Sequence, residues 1–259
     1  MLKKCAFIIL ILTGFFFVTA KQMNSKNRET FIEYQNGFER VKNARIEKNH
    51  VIKKYFDEKN VEYPPQKVFI RCFKKEKIVE LWVKPEKKEK FIFLKDYRIC
   101  KSSGRLGPKR KSGDMQVPEG FYFIERFNPV SNFYLSLGIN YPNQSDKILG
   151  DKINPGGDIF IHGSDVTIGC IPLGDEYIKE LYLVAIDVKS KYNENIQVHI
   201  FPCKMTDENM KNILEPLIKQ DNSLKDFWQN IRTGYELFEK NRILFKYKVN
   251  QSGKYSFLK

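Results

Sequence analysis

The segment Ile161-His162-Gly163-Ser164-Asp165-Val166-Thr167-Ile168-Gly169-Cys170-Ile171-Pro172 constrains this chain more than any other. Asp158 to His162 reads as a buried apolar strand, and a short loop then leads to Cys170. Histidine and cysteine thus lie one loop apart, each beside a glycine. A thiol needs a base to become a thiolate, and thiolate attack on a carbonyl needs backbone donors to hold the oxyanion. His162 is one of only three histidines in the chain, which gives its position weight. The same residues also fit a buried cysteine and a satisfied histidine at the ends of a hairpin.

The rest of the chain frames this segment. Residues 29–60 carry apolar positions at helical spacing among charges, and Tyr63-Pro64-Pro65 ends that run. Short β-rich runs follow at Val68–Phe73, Ile78–Val83, Phe91–Leu94 and Phe121–Ile124, with loops marked by Gly104, Gly107-Pro108 and Gly113-Asp114. A helix is expected over 176–187 with its cap at Asp175. Gln197–Phe201 alternates as a last strand, Thr206 caps a helical stretch to about Arg242, and a hairpin turns at Ser252-Gly253. The fold class expected is α+β, a β-dominated centre with helices flanking it at both ends. The boundaries read as 1–20 leader, 21–66 N-terminal helical segment, 67–205 β-dominated core and 206–259 C-terminal helical extension.

The first residues point to export. Met1-Leu2-Lys3-Lys4 is a basic start, Cys5 to Val18 is an apolar run of signal-peptide length, and Val18-Thr19-Ala20 offers a cleavage site. An uncleaved anchor is the alternative, although the run is shorter than the ~20 residues a spanning helix needs. The expected location is therefore the periplasm or cell envelope. The net charge of +14 suits an anionic partner. Export argues against nucleic acid, so a wall polymer or membrane face is the partner considered. The basic stretch from Lys84 to Lys111 also fits a plain solvated surface. Cys72, Cys100, Cys170 and Cys203 follow the leader. If Cys170 stays a thiol, at most one disulfide can form within the chain, and the spacing does not choose it. No cysteine or histidine set has metal-ligand spacing, so neither metal nor cofactor is expected.

Several ordered segments then carry a resemblance. They are Tyr97 to Lys109, Gly113-Asp114, Pro118-Glu119-Gly120-Phe121-Tyr122, Phe127-Asn128-Pro129-Val130-Ser131, Leu135-Ser136, Asn140-Tyr141-Pro142-Asn143, Ile161-His162-Gly163 and Gly169-Cys170. Over roughly residues 68–205 the chain resembles the L,D-transpeptidase catalytic domain of YkuD type, in its YafK-like branch. The family's Ser-His-Gly-Cys box corresponds to Thr167-Ile168-Gly169-Cys170. Ile168 replaces a histidine that this branch also lacks.

The resemblance implies a YkuD-like mixed sheet or barrel core, with Cys170 as nucleophile and His162 as its base. It points to the Gly163 carbonyl as orienter of the imidazole and to the amides of Gly169 and Cys170 as oxyanion donors. Thr167 is a further substrate-binding candidate, or a plain loop hydroxyl. The implied substrate is a peptidoglycan stem tetrapeptide, attacked at the L-centre of its diamino acid with release of D-alanine. An amine acceptor gives transpeptidation and water gives carboxypeptidation. A wall-attached lipoprotein as substrate makes the enzyme an amidase. A non-catalytic wall-binding module is the reading from another class.

Overall fold

The computed structural model describes residues 29–258. The leader and cleavage readings at 1–20 lie outside the described residues. The centre is one eight-stranded mixed sheet in the order β3-β2-β1-β8-β4-β5-β6-β7. Its strands are β1 (Lys67–Phe73), β2 (Ile78–Lys84), β3 (Ile92–Arg98), β4 (Gly120–Ser131), β5 (Tyr134–Ile139), β6 (Phe160–His162), β7 (Ile171–Pro172) and β8 (Gln197–Phe201). β1 runs parallel to β8 and β6 parallel to β7, and the other neighbours are antiparallel.

β1 reads as a nearly continuous apolar run because both of its faces are covered. In β1, Val68, Ile70 and Cys72 point into one core and Phe69 and Phe73 into others on the opposite side. The first core is closed by α1 (Phe31–Gly37), α2 (Glu39–Glu58) and α4 (Gly174–Tyr192), while α3 (Gln144–Leu149) lies between β5 and β6 in the chain. The opposite face is closed by the C-terminal elements. These are α5 (Asp207–Asn209), a π-turn at Met210–Leu214, α6 (Glu215–Gln220), α7 (Ser223–Asn241) and the hairpin β9 (Lys246–Val249) and β10 (Tyr255–Leu258).

Several boundaries differ from expectation. The single helix expected over 29–60 is two, because Phe38 adopts an extended backbone (φ −83°, ψ 135°) that turns its ring onto the core. Thr30 and Glu33 form a reciprocal capping box at its start. The helix expected from a cap at Asp175 starts at Gly174, with no side-chain cap. The Asp175 carboxylate instead accepts the Ser164 amide at 2.8 Å. Thr206 does cap, accepting the Asn209 amide at 3.2 Å, but the helical stretch after it breaks at the extended Asp221. The alternating run Leu135-Ser136-Leu137-Gly138-Ile139 forms β5, a strand absent from the expectations above.

The C-terminal elements are tied into the core by a buried charge. Lys74 Nζ donates to Glu119 Oε1 at 2.9 Å and to the carbonyls of Gly107 and Val117. Glu119 also accepts the Gly107 amide at 2.8 Å and the Trp228 indole N–H of α7 at 2.7 Å. One carboxylate therefore joins β4, the loop after β3 and α7. Cations of the basic stretch are likewise engaged inside the molecule: Lys95 with Glu180 (2.7 Å), Lys109 with Asp114 (2.7 Å) and Arg110 with Asp146 (3.6 Å). Lys87, Lys88, Lys90, Arg98, Lys101, Arg105 and Lys111 of the same stretch are exposed, so it divides between internal ion pairs and solvated surface. Cys72, Cys100, Cys170 and Cys203 are all free thiols.

Candidate active site

The site lies at the β6–β7 edge of the sheet. β7 is two residues long and contains Pro172, a residue that an edge strand tolerates because its missing N–H is not needed by a further neighbour. Ile161 pairs with Ile171 in parallel register. Cys170 directly precedes β7, and His162 closes β6, paired with Pro172.

His162 is 1% exposed. Its Nδ1 donates to the Gly163 carbonyl at 2.5 Å. A carbonyl only accepts, so Nδ1 carries the proton and Nε2 is left as the basic nitrogen. Gly163 has no room for a side chain, since a Cβ there would lie 2.5 Å from Asp175 Oδ1 and 2.7 Å from the Phe133 carbonyl. The Phe133 ring packs on the imidazole, with centroids 4.6 Å apart. Phe133 belongs to the tight turn between β4 and β5, and Arg40 of α2 grips both sides of that turn through the carbonyls of Ser131 (2.5 Å) and Tyr134 (2.7 Å).

The Cys170 thiol donates weakly to the Asp158 carbonyl at 3.6 Å. Burial pushes this thiol above its ordinary range; the Phe160 amide facing it and the Lys109 ammonium pull the other way, and Asp158 adds to the rise. Burial also lowers the imidazole of His162, with the Gly163 bond offsetting part of the effect. At neutral pH the thiol and the imidazole are therefore both neutral. Such a pair suits general-base delivery during attack rather than a preformed thiolate.

Thr167 closes the loop from within. Its hydroxyl donates to the Cys170 carbonyl at 2.7 Å and accepts the Gly169 amide at 3.1 Å. The Gly169 amide, expected as an oxyanion donor, is therefore engaged in the resting loop. Gly169 itself is required by its backbone, with φ at +139°. Ile168, which stands where the wider family has histidine, is 77% exposed and leaves the reacting face. His199 is remote from this chemistry, packed among Phe69, Phe121 and Phe245.

Phe133 and Arg126, which no sequence pattern marked, complete the surroundings with Asp158, Phe160 and Lys109. Arg126 comes from β4 and Phe133 from the turn after it, and only the folded sheet reveals their placement. Lys109 is buried against Asp114, whose carboxylate also accepts the amides of Arg110, Lys111 and Gln116 and so shapes the opposite wall.

The loop 163–169 thus joins an oriented histidine at the end of β6 to a thiol just ahead of β7, at one edge of a mixed sheet. Residues 81–189 match the model of the L,D-transpeptidase catalytic domain, YkuD. The Escherichia coli K12 protein named "Putative L,D-transpeptidase YafK" is 37% identical over 177 residues, 68% of each chain. Its counterpart in Escherichia coli O157:H7 matches to the same extent. This chain belongs to the YkuD L,D-transpeptidase family. Among solved structures it is similar to the helical cell shape determining protein Pgp2 from Campylobacter jejuni, at 22% identity and a TM-score of 0.43 over 66% of this chain and 59% of that one. Bd1075 of Bdellovibrio bacteriovorus follows at 20% identity and a TM-score of 0.38, covering 63% of this chain and 59% of that one. The chain spans less than two thirds of both solved structures, and likenesses of this degree carry no argument about the site.

Proposed function

We propose that this chain is a peptidoglycan L,D-transpeptidase that works through an acyl-enzyme on Cys170. His162 Nε2 takes the thiol proton as Sγ bonds to the carbonyl carbon at the L-centre of the stem diamino acid. The amide C–N bond then breaks, and D-alanine leaves as an amine carrying the proton returned by His162. An acceptor amine attacks the thioester, the C–S bond breaks, and the thiol is restored.

The observation that supports this reading most is the Nδ1 bond of His162 to the Gly163 carbonyl, which leaves Nε2 basic at the end of β6, whose parallel neighbour β7 begins one residue after Cys170. The Gly163 carbonyl orients the ring in the role an acid side chain has in other triads. The Cys170 amide holds the oxyanion, and the Gly169 amide joins it when the Thr167 hydroxyl turns away. Each such donor is worth roughly 3 kcal/mol of transition-state stabilisation. The substrate is a wall stem peptide and the chain acts in the cell envelope. Water or a wall-attached lipoprotein linkage entering the same acyl-enzyme route gives the carboxypeptidase and amidase variants.

The test is mass spectrometry of the protein and its products after incubation with disaccharide-tetrapeptide, beside Cys170→Ala. A Cys170-dependent crosslinked dimer is the expected result. Tripeptide alone moves the assignment to carboxypeptidase, and the absence of both adduct and product sinks the tetrapeptide reading.

A further inference from the structure

Arg126, Gly138 and Phe160 form one row across β4, β5 and β6, as the pairings Arg126 with Gly138 and Gly138 with Phe160 show. Two residues before Phe160, the Asp158 carbonyl lies 3.6 Å from the Cys170 thiol, which brings that thiol to the end of the row. Adjacent strands lie about 4.8 Å apart, so Arg126 starts two strand spacings from Phe160 and its long side chain reaches that ring. Gly138 makes this passage open: a Cβ there would sit 3.0 Å from both Arg126 Nε and the Phe160 ring. The guanidinium stacks over Phe160, 4.7 Å from the ring centroid.

The end of this row is a cation at the mouth of the site. Arg126 Nη1 donates to Asp158 Oδ1 at 2.8 Å, while the carbonyl of the same Asp158 faces the Cys170 thiol. The Asp158 side chain is 80% exposed, and an ion pair so open to water holds its partners weakly. A guanidinium has five N–H donors in a planar fork that matches a carboxylate in bidentate fashion. The Phe160 ring fixes the plane of that fork and leaves its outer edge to the solvent side.

We propose that Arg126 binds the carboxylate of the residue that leaves from the scissile bond, with Asp158 holding the fork in place until substrate arrives. The inference deepens the functional reading above and rests on it for the identity of the substrate. It makes Arg126 a specificity-determining residue: a chain-terminal residue with a free acid is accepted, and the same residue capped as an amide is not.

Two measurements separate this inference from that reading. The first needs no turnover. Alkylation of Cys170 by anionic iodoacetate and by neutral iodoacetamide is followed at low ionic strength on the Cys170 peptide, because Cys100 is exposed as well. Taking the ratio of the two rates cancels any change in thiolate fraction. In Arg126→Gln the iodoacetate-to-iodoacetamide ratio should fall about fivefold relative to wild type, and Arg126→Lys should retain most of it. A ratio unchanged in folded Arg126→Gln overturns the proposal, whatever the protein does to tetrapeptide. The second compares disaccharide-tetrapeptide with its terminal carboxamide. Wild type should prefer the acid by about tenfold or more in kcat/KM, and Arg126→Gln should lose that preference. Equal use of acid and amide by wild type overturns the assignment of the carboxylate. A shifted alkylation ratio in a protein that leaves tetrapeptide untouched upholds the anion site and overturns the functional reading instead.

Discussion

The ring of Phe133 lies 4.6 Å from the imidazole of His162 and is tilted by 30° to it, so the base of the proposed mechanism is roofed by a residue from the adjacent hairpin turn. Phe133 is itself 39% exposed, which makes it both the cover of His162 and part of the wall that substrate meets.

Removing that cover should raise the imidazole back toward its ordinary value, because burial is what lowers it. In Phe133→Ala the His162 midpoint, read by imidazole proton NMR, is expected to move up. kcat/KM should fall about tenfold or more as the ring loses its fixed orientation. Arg40→Ala, which releases the two carbonyls flanking the turn, should move both readouts in the same direction by less.

The resting pair is neutral, and the pH dependence follows from the two shifts. The thiol is raised by burial and the imidazole is lowered by burial, so no ion pair forms between their midpoints. Alkylation of Cys170 by iodoacetamide should therefore climb with pH through and beyond the usual thiol range. A plateau at neutral pH would mean a preformed thiolate. Lys109→Met removes a charge that favours the thiolate, and it should shift the profile further toward high pH.

Gly163 has no space for a methyl group against Asp175 and the Phe133 carbonyl. Gly163→Ala should cost about 1–3 kcal/mol in urea unfolding as the neighbours shift. Displacing the carbonyl that orients His162 should lower kcat on the order of a hundredfold. Asp175→Ala combined with it should fail to restore activity, because the second obstacle is backbone.

Glu119 and Lys74 are both shielded from water, at 0% and 2% side-chain exposure. Glu119→Gln leaves the ammonium buried without its counter-charge, a change that costs about 3–5 kcal/mol. Trp228→Phe removes one neutral donor to the same carboxylate and should cost about 1.5–3 kcal/mol. Urea midpoints give both numbers.

His199 is buried among aromatic rings, its Nδ1 has no partner, and burial and the nearby Arg71 hold its imidazole well below the ordinary value. It stays neutral in the fold, whereas the unfolded chain takes up a proton below about pH 6.5. The fold thus binds fewer protons there, and stability falls as pH drops from about 6.5 toward the folded midpoint. The loss of urea midpoint between pH 7.5 and 5 should be smaller in His199→Phe than in wild type.

Much of this molecule is legible in its sequence. Val68–Phe73 announces itself as a strand through a run that is apolar except at Arg71, and Gln197–Phe201 falls where its alternation puts it. The loop from His162 to Cys170 stands out in the sequence because histidine and cysteine are rare in this chain, with three and five copies. The break at Phe38 is hidden, since its ring fits the helical stripe and only packing on the core turns the backbone outward. The row Arg126, Gly138, Phe160 is hidden for another reason: strand register is a property of pairs of strands, and these residues lie far apart along the chain. The Gly169 amide shows a third limit, because a competing side-chain bond from Thr167 follows from the loop's conformation rather than from its residue types.

The family match covers residues 81–189, yet the sheet that supports the site includes β1 before that span and β8 after it, lying side by side at its centre. Glu119 then fastens the wall containing Gly107 and Val117 to Trp228, farther along still. A shortened chain trimmed to the recognisable motif would lack two interior staves and the anchor of one wall. The stretch that evolution labels is therefore shorter than the sheet and the clamp that hold it in shape.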